Sequence, residues 1–343
     1  MNKISVLGID LAKNVFQLHG VNEAGEVVLH KQLKRRQLLP FLAQLPACLI
    51  GIEACGAMHY WSREFNALGH TTRAMAPQFV KPFLKSNKND ANDAEAICEA
   101  VQRPSMRWCP AKTVEQQTIL HHHKSRRLLL SQRIRISNHL RGLLQEYGVT
   151  IPRGVNQLTK CLPTILEDGG QVLTMDLRAL LSTLYEHYQQ VVEQIEVIEK
   201  RIHLWHQNSE VSRRLASIPG IGVITATALA GTIGDSRAFR NGRQLAAYLG
   251  LVPRQHSTGG KERLLGISKR GDGYVRMLLV HGARSILRSA KRRQQAGLDN
   301  PYPWLTQLMS RTHINRACIA QANKTARIAW CVLTRGQPYR LAA

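Results

Sequence analysis

Two apolar runs in the first sixty residues set the architecture. Lys3–Leu11 and Ala47–Glu53 are short, nearly continuous in apolar residues, and each carries an acid at its end: Asp10 in SVLGIDLAK and Glu53 in CLIGIEACG. Runs this short and this apolar read as strands buried within a sheet. Between them, Val15–Val21 alternates and meets the turn sequence Asn22-Glu23-Ala24-Gly25, and Glu26–Gln32 returns. Arg36–Gln44 fits a short helix. A second, amphipathic helix grows out of Cys55–Met58, reaches Leu68 and is ended by Gly69. Thr71–Met75 is a fifth strand, Lys85–Asn92 is polar and basic, and Asp90–Val101 reads as a helix. The order β-β-β-α-β-α-β-α predicts a mixed sheet flanked by helices.

The rest of the chain reads as mostly helical. Thr113–Tyr147 is one long helical pattern, and between His121 and Arg141 it holds Lys124, Arg126, Arg127, Arg133 and Arg135 with no acid. Gly148–Gly170 contains Pro152, Pro163 and two adjacent glycines, so it reads as loop. The clearest periodicity follows: Leu177, Leu181, Leu184, Tyr188, Val191, Ile195, Ile198, Ile202 and Trp205 alternate spacings of four and three. That is a heptad seam on a helix of roughly 40 Å at ~1.5 Å per residue. It fits either packing on Thr113–Tyr147 of the same chain or a coiled coil between subunits. Ser217-Ile218-Pro219-Gly220-Ile221-Gly222 lies between helical stretches and resembles a helix-hairpin-helix, in which Gly220 and Gly222 would let main-chain N–H groups approach a phosphate. A glycine-rich, Arg/Lys-rich loop region follows. Three domains are expected: 1–150, with the sheet and the basic helix; 151–206, an irregular linker and the seam helix; and 207–343, a helical domain.

Charge points to the partner. The 343 residues carry 47 Lys+Arg against 23 Asp+Glu, a net charge of +24. From Gln207 onward the balance is 22 against 5. An excess this localised marks a phosphate-backbone footprint rather than a merely soluble surface. The seven cysteines are scattered and never spaced CxxC, which predicts reduced thiols and no zinc site. With no signal-peptide pattern and no apolar run of membrane length, a cytoplasmic protein without membrane partners is expected.

In such a basic chain the acids stand out. Asp90 and Asp93, in NKNDANDAEA, are spaced i, i+3 and so share one helix face. Asp10 would sit on the first strand and Glu53 at the end of the fourth, side by side. Taken singly, Asp10 could cap a turn, Glu53 could pair with a surface arginine, and Asp90 or Asp93 could be an N-cap. Together, in this order of elements, they fit an RNase H-type site. There, distant carboxylates converge on Mg²⁺, which takes oxygen ligands and polarises a phosphate.

GIDLAK, GIEACG and KNDANDAEA resemble the DEDD motifs of the Piv-like invertases and related bacterial insertion-sequence transposases. The stretch from IPGIGVITATALAGTIGD to GYVRMLLVHGA resembles that family's C-terminal transposase domain. The resemblance spans nearly the whole chain and is weakest between Gly148 and Ser209. It implies a RuvC-like, RNase H-like first domain whose metal-binding acids are Asp10, Glu53, Asp90 and Asp93. It also implies a C-terminal serine nucleophile that forms a phosphoserine link to DNA, best matched by Ser257 in PRQHSTGGK. Many relatives have Ser followed directly by Gly, so Thr258 is a second candidate and Ser268 a third. The partners it implies are double-stranded donor and target DNA, a noncoding bridge RNA that guides them, and dimers that pair as tetramers with composite active sites.

From the residues alone, the Ser257 loop is a Ser/Thr/Gly surface loop. Arg254, His256 and Lys261 lie near the serine in sequence, and Lys269-Arg270 read as phosphate binders. His121-His122-His123 cannot chelate one ion from a single helix and read as basic surface. Tyr274, Tyr302, Trp304 and Trp330 could stack on bases, although core packing is the commoner use. The GIDLAK strand is also similar to actin- and sugar-kinase-type ATPases, whose second glycine-rich phosphate loop has no match here. The expected function is strand exchange by a DNA recombinase. The alternatives are a metal-dependent junction nuclease using water and a non-enzymatic nucleic-acid-binding protein.

Overall fold

The computed structural model describes residues 3–85, 89–154, 156–170, 173–298 and 301–340. The chain forms two compact units, Met1–Glu115 and Gln116–Ala343. The first contains β1 (Val6–Leu11), β2 (Val15–Val21), β3 (Val27–Lys34), α1 (Arg35–Leu42), β4 (Leu49–Glu53), α2 (Met58–Ala67), β5 (Thr71–Met75), α3 (Pro77–Val80), α4 (Asp90–Val101) and β6 (Trp108–Cys109). The strands make one mixed sheet in the order β3-β2-β1-β4-β5-β6. Its centre is parallel, with Ile9 beside Ile52 and Glu53 beside Met75. The flanking β2 and β3 are antiparallel, joined at a turn where Gly25 takes a φ of 83° and Asn22 Oδ1 accepts from Glu26 N.

Alternation along the strands divides the core into two layers. Leu7, Ile9, Ile50 and Ile52 point to α2, where Trp61 and Phe65 are fully buried. Val6 points to the other face and joins Ile97, Cys98 and Val101 of α4.

The second unit takes in most of α5 (Val114–Glu146) and then α6 (Gln157–Glu167), α7 (Met175–Asn208), α8 (Glu210–Ala216), α9 (Val223–Ile233) and α10 (Gly242–Tyr248). A two-stranded ribbon, β7 (Pro253–Gln255) and β8 (Leu264–Ile267), leads to α11 (Gly273–Gln295), α12 (Pro303–Arg311) and α13 (Ile314–Arg335). The basic helix α5 is built into this unit from Gln116 on, since its Ile119 and Leu120 meet α9 at Gly231.

The expected loop at Gly148–Gly170 contains α6. A proline inside a helix leaves the carbonyl four residues earlier without its N–H partner. At Pro163 that carbonyl is Thr159 O, and Tyr185 Oη of α7 donates to it at 3.4 Å. Burial of Leu158 and Leu162 holds the helix against its neighbours. Of the seam on α7, Leu177, Leu181 and Tyr188 pack with Leu140 and Leu144 of α5 and with α6, so this part of the seam meets its own chain. The glycine-rich region read as loop holds α10 and the ribbon. The seven cysteines are free thiols, and no described helix is long and apolar enough to cross a membrane.

Candidate functional site

The acids converge because two glycines let a helix lie against the sheet. Gly8 and Asp10 point to the same face of β1, and Gly51 and Glu53 to the same face of β4. A Cβ at Gly8 would fall 2.2 Å from Ala94 O and 2.5 Å from Cys98 N; one at Gly51 would fall 2.8 Å from Val101 Cβ. The helix α4 therefore crosses both strands at contact distance, with its N-terminal turn toward the strand ends. Its N-cap is Asn89, whose Oδ1 accepts from Asn92 N at 2.8 Å. Asp90 and Asp93 are thus not needed as caps. They lie in the first turn, where the helix dipole favours negative charge.

Asp10, Asp90 and Asp93 each present a carboxylate oxygen, and these oxygens lie within 4.8 Å of one another. Asp10 and Asp93 are half-buried and Asp90 is exposed. Glu53 stands at the adjoining strand end on the same face, half-buried, but outside that close trio. Three carboxylates at this spacing repel one another unless a cation or protons intervene, and an all-oxygen set suits a hard divalent ion. The sequence carried a signal for the glycines: both motifs read Gly-Ile-acid.

The ribbon places the hydroxyls. Its two-residue tip, Gly259-Gly260, has φ values of 54° and 75°, as a tight hairpin requires. Thr258 and Lys261 bridge across it. Ser257 stands just behind the tip, exposed, and its Oγ accepts from Gln255 Nε2 at 3.0 Å and from Arg263 N at 3.4 Å. Thr258 is also exposed. Ser268 differs: its Oγ is buried and has no hydrogen-bond partner, so it is poorly placed to meet a phosphate. Arg254, Lys261, Lys269 and Arg270 are exposed, and Lys269 takes a φ of 55°.

Some of the expected phosphate contacts are used otherwise. Arg126 is half-buried and pairs with Glu199 of α7, with Nη2–Oε1 at 2.6 Å. Lys124, Arg127 and Arg135 are exposed and Arg133 is half-buried. Gly220, with a φ of 80°, lies against α11, where a Cβ added at Gly282 would fall 2.0 Å from Gly220 O. Its glycine serves helix packing, whereas Gly222 is exposed at the N-cap of α9.

The histidine run is not all surface. His123 is 1% exposed and bridges Tyr274 Oη at 3.0 Å and Thr227 Oγ1 at 2.9 Å. Thr227 gives its proton to Val223 O at 2.8 Å, so Nε2–H of His123 donates to Oγ1 and Nδ1 accepts from Tyr274. Burial, with nearby Arg126, pushes the imidazole pKa down to about 4. The neutral ring ties α5 to α9 and α11.

Residues 7–149 match the transposase family DEDD_Tnp_IS110, and residues 212–297 match the family described as Transposase IS116/IS110/IS902. A probable family 20 transposase of Pseudomonas aeruginosa is 46% identical over 338 residues, covering 98% of this chain and 99% of the relative. The transposase for insertion sequence element IS1111A of Coxiella burnetii is 44% identical over 343 residues, covering 100% and 93%. More distantly, the pilin gene-inverting protein of Moraxella lacunata is 25% identical over 275 residues, covering 74% and 73%.

Proposed function

The chain belongs to the IS116/IS110/IS902 transposase family, and on that premise we propose that this DNA transposase cuts and rejoins strands with a metal-holding acid cluster and a serine nucleophile. The observation that carries the reading is the trio Asp10, Asp90 and Asp93, gathered within 4.8 Å in a chain of net charge +24. These three would hold a divalent ion, with Glu53 a fourth acid at the adjoining strand end. Magnesium fits the all-oxygen set. When bound, it would supply charge stabilisation at the phosphate and at the leaving oxygen.

The chain's own residues do the rest. Ser257 Oγ attacks the phosphorus, the Oγ–P bond forms as the P–O3′ bond breaks, the serine proton passes to water, and the leaving 3′-oxygen takes a proton from water to become a free 3′-hydroxyl. The free 3′-hydroxyl of a second strand later reverses the link. The phosphoserine bond conserves the energy of the broken one, so no nucleotide hydrolysis is needed. Gln255 Nε2 and Arg263 N, already donating to Oγ, would favour its ionised form. Exposed Arg254, Lys261, Lys269 and Arg270 would hold phosphates beside it. A bridge RNA as guide, and dimers that pair as tetramers, belong to the same proposal and rest on the resemblance.

One observation favours a nuclease that uses water: among the described residues, only donors contact Ser257 Oγ, and no base does. A denaturing gel separates the two readings. A protein–DNA adduct that disappears in Ser257→Ala and in Asp90→Ala, with DNA binding retained, supports the serine route. Free ends without an adduct, unchanged in Ser257→Ala, overturn it and leave the nuclease.

A further inference from the structure

We propose that the groove along α13 holds an unpaired nucleic-acid strand, its bases on an apolar floor and its phosphates on a cationic rim. The groove measures about 1800 Å³ and lies between α13, α12, the base of the ribbon and residues 337–340. Arg243, Arg316, Lys324, Arg327, Arg335 and Arg340 line it, and all six are exposed. No carboxylate is among its described lining residues, and among the described residues none of the six forms an ion pair. Arg316, Lys324, Arg327 and Arg335 recur at helical spacing, so one face of α13 carries the charge. From Arg316 to Arg335 that face runs roughly 28 Å at ~1.5 Å per residue. A strand stacked at ~3.4 Å per nucleotide would lay about eight phosphates along it.

The floor decides the kind of nucleic acid. Trp304 is 39% exposed and Leu264 63% exposed, in a groove otherwise floored by Ile319 and Ile328. Apolar side chains left open beside so much charge mark a binding surface. A duplex offers phosphates and hides its base faces, which would leave this floor uncovered. An unpaired strand offers both, and stacking on an aromatic ring is worth ~1–3 kcal/mol per base. The Lys324 ammonium sits over the Trp304 ring, 4.5 Å from its centre, so a phosphate-binding cation covers one face of the indole and a base would stack on the other. Neither Ser257 nor the acids line the groove, and binding requires no cleavage. A failed binding test therefore leaves the catalytic assignments standing.

The test uses the full-length protein and fluorescence anisotropy. The probes are a labelled twelve-nucleotide oligothymidylate, the matching oligouridylate and a duplex of the same length. The variants are Arg327→Glu with Arg335→Glu, and separately Trp304→Ala, each checked for an unchanged thermal melt. The control is Lys291→Glu with Arg292→Glu, two exposed positions of α11 outside the groove. Both groove variants should weaken single-strand binding by ~10-fold or more and duplex binding by less than ~3-fold. The tighter of the two single strands identifies RNA or DNA as the natural occupant. The proposal is overturned if single-strand affinity is unchanged, or if it falls in step with duplex affinity as in the control. A dimer that the groove substitutions convert to monomer without any effect on the single strands would equally overturn it, since the occupant would then be a second copy of the chain.

Discussion

Asp10 and Ser257 are held in opposite ways. Asp10 ends a strand whose Leu7 and Ile9 are fully buried, and α4 lies so close to that strand that only glycine fits at position 8. Ser257 stands on a ribbon in which every residue from Pro253 to Gly266 is exposed, and no atom lies within 4 Å of a Cβ added at Gly259 or Gly260. Carboxylates that share an ion must be fixed to a fraction of an ångström before substrate arrives. A nucleophile that carries a strand end from one partner to another gains from a support that can move. The packed sheet and the bare ribbon suit the two tasks proposed for them.

The sharpest way to break this comparison is to disturb each support without touching a reacting group. Gly8→Val puts a side chain into the main chain of Ala94 and Cys98. Overpacking of that kind costs ~1–3 kcal/mol or more, and it would push Asp90 and Asp93 away from Asp10. Strand cleavage should fall by at least ~100-fold although all four acids remain. Gly260→Ala meets open space and adds only the strain of a positive φ, ~1–2 kcal/mol within the ribbon. It should slow adduct formation by no more than ~10-fold and leave the melting temperature in place. Equal effects from the two substitutions, read on one gel, would remove the distinction.

The second unit has its own rigid part, and pH exposes it. The pKa of His123 is about 4 in the folded chain against 6.5 for a free histidine. Between those values the unfolded chain binds more protons, so stability is lost as pH falls through that window. The loss should reach on the order of 3 kcal/mol by pH 4, measured by urea unfolding. His123→Gln should abolish this share of the pH dependence. The His123 hydrogen bonds join α5, α9 and α11 and do not involve the ribbon, so a proteolysis rate at its tip should not follow the same curve. The smallest effect belongs to Arg126→Met. Its pair with Glu199 is partly open to solvent and is worth about 1 kcal/mol or less. That change should leave DNA affinity unaltered in a filter-binding assay, because the guanidinium is already engaged.

Much of the first unit was legible because local signals agree there. The hairpin turn, the two apolar strands and the helix at Asp90–Val101 follow from periodicity and turn residues, while the DEDD reading of the four acids rests on the resemblance. The closeness of Asp10 to Asp90 and Asp93 depends on Gly8 and Gly51, whose meaning appears only when α4 is laid across the sheet. The second unit was less legible because long-range contacts override local rules. Pro163 reads as a helix breaker until Tyr185 satisfies the freed carbonyl. His123 reads as surface until Thr227 and Tyr274, over a hundred residues away, close around it. Gly220 resembles a phosphate contact until Gly282 is seen packed against it.

The central claim is that the acids gathered at the end of the sheet hold a divalent ion. Calorimetric titration of Mn²⁺ into the wild-type chain and into Asp10→Asn tests it most directly. A saturable site in the wild type, weakened ~10-fold or more in the variant, is the predicted result. Equal affinity in both proteins, or no saturable site in either, would contradict it.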